Sequence, residues 1–191
     1  MKAEKIETYK SLLAKYGNGG QLLDIATGHG KYAVTAALLG YDVTAFDARP
    51  DRVPEYYPGI KWEICNLKGF SYKGFNIINS FGILYHLHIE WQEWLLKQIN
   101  YATVISDTHY STPAAVAKRG LKVIGEYAGI ECSEGPTLES LKTRPLNAFD
   151  DLVNYCHTEE SLYRLFDNCG FRVVETAWVT DDRNFYVLQP K

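Results

Sequence analysis

The chain has 191 residues, a formal net charge of −3, and 46% hydrophobic and 23% charged residues, the profile of an ordinary soluble globular protein. At this length one domain buries roughly 70% of the surface its unfolded chain exposes, so a full core is available. The mildly acidic balance gives no global attraction to a phosphate backbone, and no apolar run approaches the ~20 residues of a membrane span.

The N-terminal stretch MKAEKIETYKSLLAKYG carries acidic residues and no apolar signal core, which predicts a cytoplasmic location. Within it, Ile6, Tyr9, Leu12, Leu13 and Tyr16 recur at helical intervals, so residues 4–16 are expected to form an amphipathic helix that ends at Gly17-Asn18-Gly19-Gly20. Residues 21–25 then read as a short buried strand, 31–39 as a helix ending at Gly40, and 42–46 as a second strand. Pro50, Pro54 and Pro58 allow only a short helix between them. Strands are expected at 60–65, 75–80 and 102–106, with a helix at 89–99 that carries Trp91 and Trp94.

This alternation is the pattern of a doubly wound α/β sheet with parallel crossovers. The end of the chain differs. Thr158 is a good N-cap, Glu159 and Glu160 suit a helix N-terminus, and the helix should reach Asn168 and stop near Gly170. Residues 171–179 and 184–189 are strands joined by Thr180-Asp181-Asp182-Arg183, too short a link for a parallel crossover, so they form an antiparallel hairpin. Residues 107–157, rich in glycine, proline and polar residues with helical fragments at 114–118 and 138–141, fit neither pattern. They are expected to be an insertion that covers the substrate, within a single domain spanning 1–191.

In an open parallel sheet, ligands bind beyond the carboxyl ends of the strands. The segment LLDIATGHG sits at such an end, and Gly28 and Gly30 would let backbone N–H groups approach a ligand. Asp47 follows Gly28 by nineteen residues, at the end of the second strand, where a carboxylate can accept both hydroxyls of a ribose. A dinucleotide fingerprint would place a third glycine three residues after Gly30, and the residues that follow are Lys31, Tyr32 and Ala33.

Leu22-Leu23-Asp24-Ile25-Ala26-Thr27-Gly28-His29-Gly30 resembles the first-strand motif of the class I S-adenosylmethionine-dependent methyltransferases, with Ala26 in place of the first glycine. Asp47 matches the family's acidic residue after the second strand. Asn66 stands at the adenine-contacting position, where Asp is more usual, and its side-chain oxygen can still accept a hydrogen bond. The stretch FNIINSFGILYHL (75–87) is similar to the family's fourth strand and its exit, with Asn76 where Asp is typical.

The resemblance implies a mostly parallel seven-stranded sheet with a C-terminal antiparallel hairpin, the Rossmann-like methyltransferase fold. It also implies S-adenosylmethionine as cofactor and S-adenosylhomocysteine as product, held by Asp24, Ala26, Gly28, Gly30, Asp47, Asn66 and Ser80. The expected activity is methyl transfer to a small molecule, with oxygen taken as the accepting atom and nucleic acid the less favoured acceptor. Cofactor cleavage on the same fold, a tRNA-modifying role or a non-catalytic binding role are the alternatives.

His86 and His109, at the exits of neighbouring strands, are the candidate bases, and Tyr85 a candidate for the acceptor pocket. His29 is expected to flank the cofactor without a chemical role. His86, His88, Asp107 and His109 have metal-ligand chemistry but no recognised spacing, and Cys65, Cys132, Cys156 and Cys169 have no CxxC pair, so no metal is expected.

Overall fold

A computed structural model of the chain describes residues 2–51, 57–119, 121–123, 130–132, 155–178 and 180–191. Helix α1 (Lys2–Tyr16) leads into β1 (Gln21–Ile25), α2 (Lys31–Leu38), β2 (Asp42–Asp47), β3 (Ile60–Ile64), β4 (Ile77–Phe81), α3 (Ile89–Gln98) and β5 (Thr103–His109). Helix α4 (Pro113–Arg119) and the short strands β6 (Leu121–Val123), β7 (Ile130–Cys132) and β8 (Tyr155–Cys156) follow, then α5 (Glu159–Asn168), β9 (Phe171–Ala177) and β10 (Arg183–Pro190).

Seven strands form one sheet in the order β3-β2-β1-β4-β5-β10-β9. The first five run parallel, and β10 is antiparallel to both β5 and β9. The expected doubly wound sheet with a terminal hairpin is therefore the one observed. Strand order reverses between β1 and β4, the switch point at which such sheets open a crevice. A second small sheet holds β6, β7 and β8. The expected insertion at 107–157 is described only in part. Strand β5 continues through His109, α4 matches the helical fragment at 114–118, and the fragment at 138–141 lies outside the described residues.

Successive strand side chains point to opposite faces. On one face Leu22, Val43, Ala45, Ile77, Ile105, Phe185 and Val187 pack against Tyr9, Leu12 and Leu13 of α1 and against Ala33 and Ala36 of α2. On the other, Leu23, Ile25, Ile78, Val104 and Leu188 meet Leu95 and Leu96 of α3 and Leu162, Leu165 and Phe166 of α5. The same parity directs Asp24, Asn79, Phe81, Asp107 and Arg183 toward the α1/α2 face, at the carboxyl end of the parallel strands. Polar groups from distant parts of the chain thus share one side.

Local chemistry explains the element ends. The Thr158 hydroxyl accepts the Ser161 N–H at 3.2 Å and caps α5. Gln92 of α3 is buried. It donates to the Leu87 carbonyl at 3.0 Å and the Tyr155 carbonyl at 3.2 Å, while its oxygen lies 3.0 Å from His157 Nε2. The Ser111 N–H donates to the His157 carbonyl at 2.7 Å, and Ser111 bridges Thr158 in parallel.

Candidate functional site

Three consecutive bends turn β1 into α2. Ala26, Gly28 and Gly30 all have left-handed φ, at 52°, 56° and 71°. The loop is tied down by Thr27 N–H donating to the Phe46 carbonyl at 2.9 Å and Gly30 N–H donating to the Thr27 carbonyl at 3.0 Å. A Cβ on Gly30 would run into the Trp62 ring, whereas one on Gly28 would meet nothing within 4 Å. Gly30 is therefore required by packing. Gly28 faces open space. Ala26 adopts its left-handed conformation without a glycine's freedom, at a cost of roughly 1–2 kcal/mol.

The Asp47 carboxylate sits at the edge of this turn. One oxygen accepts the Gly28 N–H at 2.9 Å, and the other accepts the Arg49 backbone N–H at 2.9 Å and Arg49 Nε at 3.1 Å. Both oxygens are held, so the carboxylate is fixed in orientation and buried to 3% exposure.

Asp24 lies deeper, 1% exposed. It accepts from the Thr27 hydroxyl, Asn79 and the Ala33 backbone N–H, and Asn79 also donates to Tyr9 Oη at 2.7 Å. Burial pushes the Asp24 carboxyl up to about 6, against the opposing pull of these hydrogen bonds. A chain of polar groups thus links the end of β1 to β4 and α1.

A second charged group stands at the β5/β10 end. Arg183 grips Asp107 in a fork, Nε to Oδ1 at 2.6 Å and Nη2 to Oδ2 at 2.7 Å. Lys5, reaching in from α1, donates to the same Asp107 Oδ2. The Lys5 ammonium also stands over the rings of Trp178, at 4.5 Å, and Phe185, at 5.2 Å. Burial lowers the Lys5 pKa to about 8, with the Arg183 charge adding to the effect and Asp107 opposing it. Arg183 Nη1 lies 3.2 Å from His109 Nε2. Because a guanidinium only donates, that nitrogen accepts, and Nδ1–H donates to the Asp182 carbonyl at 3.1 Å. Tyr85 packs edge-on to His109, centroids 4.8 Å apart, and against His86 at 4.3 Å.

One cleft of about 440 Å³ joins these groups. At one end it is lined by Ala26, Thr27, Gly28, His29 and Arg49, with Asp24 in its wall. At the other it is lined by Lys5, Phe81, Gly82, Asp107 and Arg183. Tyr32 stands between, 5% exposed, its hydroxyl buried and without a hydrogen-bond partner among the described residues.

Of the residues named from the sequence, Asp24, Ala26 and Gly28 line this cleft, Gly30 and Asp47 support its turn, and His29 is an exposed part of its rim. Asn66 is placed otherwise: its Oδ1 accepts the Gly69 N–H at 3.0 Å and caps the single helical turn Leu67–Gly69. Ser80 is fully buried and its carbonyl accepts the Ser106 hydroxyl at 3.2 Å. Neither is among the lining residues. Tyr85, His86 and His109 are brought together, beside Arg183.

Lys5, Arg49, Tyr32 and Arg183 were not singled out by sequence motifs. Only the strand-end position of Arg49, two residues after Asp47, carried a signal. His88 caps α3 by accepting the Glu90 N–H at 3.4 Å, and no group of three His, Cys, Asp or Glu among the described residues is placed to hold a metal. No helix among the described residues is long and apolar enough to cross a membrane.

No protein-family model matches this chain, and no match is found among curated proteins. Solved structures do match. A magnesium protoporphyrin IX methyltransferase from Synechocystis with bound S-adenosylhomocysteine aligns with a TM-score of 0.69 at 15% identity, covering 99% of this chain and 84% of that one. The 1,6-didemethyltoxoflavin-N1-methyltransferase of Burkholderia thailandensis, with its substrate and S-adenosylhomocysteine bound, aligns at 0.68 with 16% identity over 100% of this chain and 80% of that one. A structure from Listeria monocytogenes described as a putative S-adenosylmethionine-dependent methyltransferase aligns at 0.68 with 14% identity, covering all of both chains. The chain has the Rossmann-like fold of the class I S-adenosylmethionine-dependent methyltransferases.

Proposed function

We propose that this chain is an S-adenosylmethionine-dependent methyltransferase acting on a small molecule. The observation that carries the reading is the Asp47 carboxylate, which accepts the Gly28 N–H at 2.9 Å and so supports the turn that lines a cleft at the switch point of the sheet. The residues present fit such a cofactor. The side of Gly28 that a Cβ would occupy is open, and Asp47 is oriented with its charge at the strand end.

In this reading Asp47 receives the ribose hydroxyls, and the open side of Gly28 lets the methionine portion approach the Ala26–Gly30 turn. Asp24 braces the turn through Thr27 and the start of α2. When bound, the cofactor supplies an electrophilic methyl group on a sulfonium. The chain's own task is to hold donor and acceptor in line, exclude water and accept a proton where the acceptor carries one.

His109 is committed to Arg183 and the Asp182 carbonyl, which suits it to orient Arg183. Tyr85 and His86 remain the candidates for proton transfer, and oxygen remains the accepting atom of this proposal. A small acceptor is supported by structures of the same fold named for 1,6-didemethyltoxoflavin and magnesium protoporphyrin IX.

Calorimetric titration with S-adenosylhomocysteine tests the reading. Binding with one-to-one stoichiometry is expected. Absence of heat with both S-adenosylhomocysteine and S-adenosylmethionine would overturn it.

A further inference from the structure

We infer that the Lys5–Asp107–Arg183 cluster recognises a carboxylate on the methyl acceptor, with the Tyr32 hydroxyl as a neutral hydrogen-bond donor. The inference rests on the cofactor reading above and adds the substrate class.

The first support is charge. Two cations face one carboxylate, leaving a surplus of one positive charge in a largely dehydrated wall: the Lys5 side chain is 11% exposed, Asp107 1% and Arg183 23%. Arg183 alone satisfies both Asp107 oxygens in a fork, so Lys5 is not needed to neutralise Asp107. An ammonium has three donors, and Lys5 gives one to Asp107, its only hydrogen-bond acceptor among the described residues. Buried charge is costly unless it is balanced, and a monoanion entering the cleft would balance the surplus that Asp107 leaves. Burial, with the Arg183 charge adding to it, outweighs Asp107 and lowers the Lys5 pKa, so an added anion would favour its charged form.

The second support is Tyr32. Its hydroxyl is buried in the cleft wall without a partner, a condition that costs roughly 1–3 kcal/mol and that a ligand oxygen relieves. The Tyr32 and Phe81 rings, with centroids 4.0 Å apart and planes tilted by 34°, give the same wall an aromatic surface. An aromatic carboxylate matches both features.

The third support is position. Asp47 ends β2 and Asp107 lies in β5, three strand spacings away in the order β2-β1-β4-β5, or roughly 14 Å. The cluster therefore lies at the end of the cleft opposite the ribose-facing carboxylate. The cofactor's own carboxylate is the other source of this chemistry, and the S-adenosylhomocysteine affinities of the variants below separate the two.

The test uses the full chain saturated with S-adenosylhomocysteine and titrated with matched probes: benzoate against benzamide, and indole-3-acetate against indole-3-acetamide. The carboxylate member of at least one pair is expected to bind about tenfold more tightly than its amide. Tyr32→Phe, which keeps the ring packing, and Lys5→Gln are each expected to weaken that carboxylate by about five- to tenfold while leaving S-adenosylhomocysteine affinity within about twofold. Equal binding of acid and amide in both pairs overturns the inference. So does loss of S-adenosylhomocysteine affinity in these variants with the probes unaffected, which would assign the cluster to the cofactor's carboxylate. Failure of the unmodified chain to bind S-adenosylhomocysteine removes the underlying reading, and this proposal with it.

Discussion

Asp47 accepts the Gly28 backbone N–H at 2.9 Å, joining the end of β2 to the turn after β1. The bond sets the turn's shape before any ligand arrives, because Arg49 holds the other carboxylate oxygen. Asp47→Ala is expected to lower S-adenosylhomocysteine affinity by about 100-fold, from loss of charged hydrogen bonds and of the turn's anchor. Asp47→Asn keeps an acceptor and should lose about tenfold. Calorimetry on the three proteins checks this, and an unchanged affinity in the alanine variant would remove Asp47 from the site.

Gly28 and Gly30 have similar backbone angles but different surroundings, so they should respond differently to a methyl group. Gly28→Ala meets only the left-handed strain and should cost about 1 kcal/mol. Gly30→Ala adds a collision with the Trp62 ring and should cost about 2–3 kcal/mol. Urea unfolding of both variants reads the difference. Equal costs would show that the Trp62 contact does not constrain the turn.

Asp24 makes stability depend on pH. Its carboxyl titrates near 6 in the folded chain because burial disfavours the charged form, above the usual carboxylate range. A folded pKa raised above the unfolded one means that the folded chain holds the extra proton between the two. The contribution is therefore complete below the unfolded value and lost as pH rises through 6, a change of about 3 kcal/mol. Asp24→Asn should flatten this fall between pH 4 and 7 in chemical unfolding curves. A slope identical to that of the unmodified chain would refute the assignment.

Thr158 fixes the start of α5 with one hydrogen bond to Ser161. Thr158→Ala should destabilise the chain by about 1 kcal/mol, read as a lower urea midpoint with an unchanged slope. S-adenosylhomocysteine binding should stay the same, since α5 packs on the sheet face opposite the cleft.

The parts of the site that are near in sequence were legible there. Gly28, Gly30 and Asp47 lie within one strand-helix-strand unit, so spacing alone brings the carboxylate to the turn. The terminal hairpin followed from the shortness of the link between its strands. The Lys5–Asp107 and Asp107–Arg183 contacts span 102 and 76 residues. They depend on where α1 lies over the sheet and on the antiparallel register that pairs Arg183 with His109. No local pattern encodes either. Nothing in the sequence marks Tyr32 within the expected helix 31–39, because an unpartnered hydroxyl is a property of its surroundings. Asn66 matched a motif position, yet local chemistry claimed its oxygen for a backbone cap.

The pairing of Ser111 with His157 and Thr158 brings the departure and return of the intervening chain to one point, and Gln92 pins the return to α3. That stretch is thus a cassette clasped at its base. A change in its length therefore need not shift the register of β5 or the start of α5.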